Sequence, residues 1–206
     1  VDAENFKVNG GQGSDGQVLT STGSGVAFED ASGGAESIND LTDAKTFGTS
    51  SIMLGDATTG TIDAANYNTG VGVDVFEDLT SGDNNAAFGF FALGNNTSGG
   101  NNTMVGAYAG ALNIDDADNT AVGYAANYPD GGSNVTAVGS VALNANTASD
   151  NTAVGKGALT ATVGGANNTA VGSLAGVANT SGSENSFLGY RAGMTTTTAT
   201  TNTVIG

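Results

Sequence analysis

Asn119-Thr120-Ala121-Val122-Gly123-Tyr124-Ala125-Ala126 is the stretch on which the fold turns, because the chain repeats it. Close copies stand at Asn151-Thr152-Ala153-Val154-Gly155-Lys156-Gly157-Ala158 and Asn168-Thr169-Ala170-Val171-Gly172-Ser173-Leu174-Ala175. With the Gly of this phrase as anchor, the repeat runs through Gly55, Gly72, Gly89, Gly106, Gly123, Gly139, Gly155, Gly172, Gly189 and Gly206, at intervals of 16 or 17 residues. Low-complexity drift does not hold such a register over ten copies, so periodicity outranks every local motif.

The columns around the anchor are as regular as its spacing. One residue before it, at position −1, all ten residues are apolar, from Leu54 and Val71 to Leu188 and Ile205. At −3, eight of ten are Thr or Ser; at −4, eight of ten are Asn, including Asn68, Asn85, Asn102, Asn119, Asn151, Asn168 and Asn185. At +3, Ala recurs at Ala92, Ala109, Ala126, Ala142, Ala158, Ala175 and Ala192. A polar stretch rich in Gly, Ser, Asp and Asn completes the unit.

A unit this short cannot hold a helix pair, which needs 33 residues or more. Two short strands and two turns fit, with Thr, Val, Ile and Phe in the first half and turn sequences such as Gly131-Gly132-Ser133-Asn134 in the second. The expected class is all-β: a β-solenoid of ~17-residue coils from 51 to 206, each coil stacked on the last. At ~4.8 Å per coil the nine intervals span roughly 43 Å. The Asn column is then expected to form amide ladders, as in cross-β stacks. The Gly column, Gly72, Gly89, Gly106, Gly123, Gly139, Gly155, Gly172 and Gly189, supplies positive φ or close backbone approach. The Ala column implies a narrow interior.

Positions −2 and −1 face opposite ways in a strand, yet both are apolar or small: Met104 with Val105, Ala121 with Val122, Phe187 with Leu188. One face lines the coil; the other is expected to pack on sister chains, giving a homo-oligomer with three-fold symmetry, intertwined or packed as a fibre. A thicker single-chain solenoid with a covering face gives the same pattern.

Residues 1–35 lack the repeat and read as a small β-rich connector, with strands at Phe6-Lys7-Val8, Gln17-Val18-Leu19-Thr20 and Val26-Ala27-Phe28. Ser32-Gly33-Gly34 reads as a break, and residues 36–50 form a junction leading into the first coil. The last coil ends at Gly206 without a polar cap, which solenoids need. The chain is therefore expected to be a fragment, or to continue into another module.

Composition narrows the function. Gly is 34 of 206 residues, against an average near 7 %. There is no His and no Cys, so there is no Ser–His or Cys–His nucleophile and no ordinary zinc site. Four cations against 20 acids leave a net charge of −16, which argues against nucleic acid and anionic membrane surfaces alike. No run of 18 apolar residues exists to span a bilayer. Asp115, Asp116 and Asp118 cluster in one turn and have the oxygen chemistry for a hard cation, but such clusters are ordinarily solvated turns. Gly10-Gly11-Gln12-Gly13-Ser14-Asp15 imitates the start of a calcium-binding nonapeptide; with one copy it reads as a turn. The acids sit mostly in turns without an aromatic-walled cleft, so neither glycoside hydrolysis nor any other activity is expected, and no cofactor. Phe90, Phe91, Tyr108, Tyr124, Tyr128 and Tyr190 vary where the repeat permits. Of these, Tyr108, Tyr124, Tyr128 and Tyr190 are the candidate binding residues. Two roles fit them, stacking on cell-surface sugars or filling the seam between chains, and the second is the simpler.

The phrases at 119–126 and 151–159, with Asn185-Ser186-Phe187-Leu188-Gly189-Tyr190-Arg191-Ala192-Gly193, resemble repeats of phage tail fibres and related bacterial fibre proteins. Gly16-Gln17-Val18-Leu19-Thr20-Ser21-Thr22-Gly23-Ser24-Gly25 is similar to a connector upstream of such repeats. A more distant likeness is to the β-roll heads of trimeric autotransporter adhesins, whose repeat is shorter. The resemblance implies a homotrimeric fibre on the virion tail, with a host glycan or protein receptor and other fibre or baseplate proteins as partners. It carries no catalytic residues. The alternative of the same architecture is a bacterial cell-surface adhesin or extracellular filament subunit.

Overall fold

The computed structural model describes residues 17–21, 26–30, 44–47, 50–55, 64–129 and 131–206. The expected strand at Phe6–Val8, the Gly10–Asp15 turn and the break at Ser32–Gly34 lie outside them. The chain divides into two units, Val1–Leu41 and Thr42–Gly206. In the first, β1 (Gln17–Ser21) pairs antiparallel with β2 (Val26–Asp30), Leu19 opposite Phe28.

The second unit is a β-solenoid. β4 (Ser51–Leu54), β5 (Thr69–Val71), β6 (Ala86–Phe88), β7 (Thr103–Val105), β8 (Thr120–Val122), β9 (Thr136–Val138), β10 (Thr152–Val154), β11 (Thr169–Val171), β12 (Ser186–Leu188) and β13 (Thr203–Ile205) form one parallel sheet in chain order. The junction supplies β3 (Ala44–Phe47), which pairs antiparallel with β4. Register never slips: Thr120 lies beside Thr136, Ala121 beside Ala137 and Val122 beside Val138, so each column of the sequence becomes a column in space.

The strand alternates as its pattern requires. Position −2 points inward, with Met53, Ala87, Met104, Ala121, Ala137, Ala153, Ala170 and Phe187 all buried. They meet the buried Ala column, from Ala92 and Ala109 to Ala175 and Ala192, and the larger Val75, Phe76, Leu79, Leu93, Leu143 and Leu159 fill what remains.

Each described coil has one strand where two were expected. The backbone after the anchor is not extended: besides the Gly itself, φ is positive at +2 and +4, as at Phe91 (54°) and Leu93 (51°), or Val141 (54°) and Leu143 (51°). For such side chains this costs of order 1 kcal/mol per residue. The alternation turns successive amides toward opposite neighbours. Phe91 N–H donates back to Val73 C=O (2.9 Å), and Leu93 N–H donates forward to Ala109 C=O (3.1 Å), so the coil-to-coil hydrogen bonds continue without a strand. A third positive φ stands at −5, where Asn84, Asn101, Asp118, Asn134, Asp150 and Asn167 are residues that tolerate it.

Two columns hold the coils in contact. At Gly123 (φ +137°) a Cβ would lie 2.6 Å from the Gly139 carbonyl carbon, and the same overlap recurs along the anchor column. The second is the Asn column, buried from Asn68 to Asn185. Asn85 N–H donates to Asn68 Oδ1 (2.8 Å), Asn102 N–H to Asn85 Oδ1 (2.9 Å) and Asn119 N–H to Asn102 Oδ1 (3.0 Å). The Nδ2 of Asn68, Asn85, Asn102, Asn151, Asn168 and Asn185 reaches a turn carbonyl 14 residues on, as Asn68 to Gly82 and Asn168 to Gly182. The ladder is thus mainly side chain to backbone. Amide-to-amide bonds join it only in the last coils, Asn168 to Asn151, Asn185 to Asn168 and Asn202 to Asn185. The one-residue-shorter coil at Val135 breaks the pattern: Val135 N–H still donates to Asn119 Oδ1 (2.8 Å), but Asn119 Nδ2 is buried without a partner.

Two contrasts test these columns. Gly123→Ala is expected to lower unfolding free energy by about 3 kcal/mol or more, from strained φ plus backbone overlap. Gly164→Ala, where a Cβ meets nothing within 4 Å, is expected to stay within ~0.5 kcal/mol in the same urea titration. Asn168→Leu strands the Asn185 N–H and leaves the Gly182 C=O with Asn179 Nδ2 as its remaining donor, and should cost ~2 kcal/mol. Asn127→Leu removes a buried amide whose Oδ1 and Nδ2 lack partners. It restores the residue found at the equivalent Leu93 and Leu143, and should stabilise by ~1 kcal/mol.

Candidate binding surfaces

Stacking in register writes the −1 column onto the outside as a continuous apolar ladder. Leu54, Val71, Phe88, Val105, Val122, Val171 and Leu188 are 37–52 % exposed, with Val138 and Val154 half-buried in line with them. Beside it on the same strands runs the −3 column, Thr69, Thr103, Thr120, Thr136, Thr152, Thr169, Ser186 and Thr203. Neither column carries a charge in any strand from β4 to β13. The described acids of the solenoid all lie outside its strands, where several are tied to neighbouring coils. Asp83 Oδ1 accepts from Asn66 N–H (2.7 Å), Asp118 Oδ1 from Asn101 Nδ2 (3.1 Å) and Glu184 Oε2 from the Thr201 hydroxyl (3.3 Å).

The Asp115–Asp118 turn is organised in the same way. Asp116 accepts from Gly132 N–H (2.8 Å) and from the Ser133 hydroxyl (3.3 Å) of the next coil. Among the described residues no three acids gather as a metal site.

The aromatic residues divide. Tyr108, Tyr124 and Tyr128 come together, with Tyr108 edge-to-face against Tyr124 (6.1 Å between centroids) and against Tyr128 (6.3 Å). Phe90 and Phe91 extend the row, 5.2 and 6.0 Å from Tyr108. Tyr190 stands apart, 64 % exposed, with the Arg191 guanidinium 5.2 Å from its ring centre. The glycines from Gly72 to Gly189 form the backbone contact column.

The three tyrosines border a shallow depression of about 410 Å³, completed by Ala125, Val141 and Asn144. Its origin is legible once the coils are in register. Tyr108, Ala125 and Val141 occupy position +2 in three successive coils; Tyr128 and Asn144 occupy +5 in two; Tyr124 is at +1. A methyl between a phenol ring and an isopropyl leaves a floor lower than its rim. The rim is held by backbone: Tyr108 N–H donates to Phe90 C=O, Ala125 N–H to Ala107 C=O and Val141 N–H to Tyr124 C=O, all 2.9–3.0 Å. Asn144 Nδ2 donates to Ala125 C=O (3.0 Å). Sequence reading named the tyrosines but not Ala125, Val141 or Asn144, whose only signal is their place in the same lattice.

Among the described residues no helix is long and apolar enough to cross a membrane. No family model, no curated protein and no solved structure matches this chain.

Proposed function

We propose that the chain is a structural segment of a phage tail fibre that projects from the virion and supports host-cell recognition and attachment, with three copies joined along the apolar ladder. The observation that carries this reading is the ladder: apolar, uncharged and unbroken over ten coils of a chain with net charge −16. The −1 and −3 columns make a strip about 12 Å wide and 43 Å long from strand geometry. Two such strips bring together about 1,000 Å², the lower edge of a specific interface.

A second copy is the natural occupant. Its rungs repeat at the same spacing, so a parallel neighbour in register sets apolar residue against apolar residue along the whole length. The acids outside the strands oppose association through the turns that carry them, because like charges repel there. The three-fold count and the tail-fibre assignment follow from the resemblance of the repeat phrases. A stiff rod of identical chains also multiplies weak contacts at its tip into avidity.

Light scattering behind size exclusion tests the reading. A species of three times 19.9 kDa is expected, favoured by added salt, which screens repulsion between acidic chains. The double variant Val105→Glu/Val122→Glu should give a monomer with unchanged far-ultraviolet circular dichroism. A folded wild-type monomer at all salt concentrations removes the seam and with it the fibre.

A further inference from the structure

The depression over Ala125 has a chemistry of its own. Its lining, among the described residues, is three phenol rings, a methyl, an isopropyl and a carboxamide, none of them charged. Among the described residues no group hydrogen-bonds the hydroxyls of Tyr108, Tyr124 or Tyr128, and none donates to Asn144 Oδ1, whose Nδ2 is committed to Ala125 C=O. Tyr124 is 57 % exposed, so much of its surface is open to a ligand. The site therefore offers apolar ring surface ringed by four uncommitted hydrogen-bonding oxygens. Its volume lies at the small end of ligand sites.

A neutral pyranose matches this set: its axial C–H face packs on an aromatic ring, and its hydroxyls pair with the phenols and the amide oxygen. Anionic ligands are disfavoured because none of the described lining residues is a cation and the chain has a charge of −16. A quaternary ammonium wants ring faces spread around it as a cage. Here Tyr108 is in edge-to-face contact with both other rings, which closes the space between them and leaves a platform. We propose that Tyr108, Tyr124, Tyr128 and Asn144 form a binding site for a single neutral hexopyranose unit, with Ala125 as its floor. The site deepens the host-recognition part of the reading above, but its chemistry does not depend on the oligomeric state.

The chain has no Trp, and three of its five Tyr stand in this cluster, so a ligand there changes the tyrosine fluorescence, with Tyr67 and Tyr190 as a constant background. The full chain is titrated with the methyl glycosides of glucose, galactose and N-acetylglucosamine, and separately with tetramethylammonium chloride. Saturable binding of at least one glycoside in the millimolar range is expected. Tyr124→Ala and Ala125→Leu should each weaken it tenfold or more, while Tyr190→Ala leaves it unchanged. Unaltered circular dichroism shows that the variants fold. Three outcomes overturn the proposal: no saturable response to any glycoside up to about 50 mM, binding of tetramethylammonium alone, or equal loss in Tyr190→Ala. Repeating the titration on Val105→Glu/Val122→Glu separates the two readings. Binding by both forms supports the site whatever the oligomer; binding by the dissociated form alone overturns it and assigns the depression to the seam.

Discussion

Backbone resting on backbone at the anchor glycines is the constraint from which the rest of the solenoid follows. Where Gly123 faces Gly139, the space for a Cβ is already taken by the next coil's carbonyl. That approach sets each coil directly above its neighbour and forbids any stagger. Register in turn decides which side chains meet: Ala over Ala inside, Asn over Asn at the corner, Val over Val outside. A one-residue slip along a strand would send the inner residues out and the outer residues in, while also forcing side chains into the glycine contact.

The Asn column solves the problem that this close stacking creates. Each coil must turn a corner, and a corner leaves buried N–H and C=O groups without strand partners. The carboxamide has both an acceptor and a donor, so one residue satisfies the next coil's N–H and its own coil's turn carbonyl together. Leu is too apolar and Ser too short to span both. The interior column at +3 complements this with buried Ala in every coil from Ala92 to Ala192, and with Val75 before them. Cohesion thus comes from hydrogen bonds running along the stack more than from a thick apolar core.

What was visible beforehand was whatever repeats. The period, the opposite facing of −2 and −1, the glycine contact and the narrow Ala-lined interior all follow from columns that recur coil after coil; which of the two strand faces points inward does not. The single strand per coil was not visible, because Phe91, Leu93, Val141 and Leu143 have strand-like or helix-like side chains and give no sign of positive φ. Their conformation is imposed by hydrogen bonds to the coils on either side, which compensate its local cost. The Asn ladder differed in detail for a similar reason: the turn carbonyl that competes for each Nδ2 is identified only by the path of the coil.

The binding surfaces divide along the same line. Which strand face points out was decided by the fold, but the sequence by itself determined that the column on it, −1, would be apolar throughout. It determined too that this column would be uncharged in an acidic chain. Only the tertiary structure decided that Tyr108, Tyr124 and Tyr128 meet while Tyr190 does not, and that Ala125, Val141 and Asn144 complete a depression with them. Those six residues break the repeat rather than obey it. Their meeting depends on which columns become neighbours when the coil closes, and periodicity fixes the order along the stack but not the path around it.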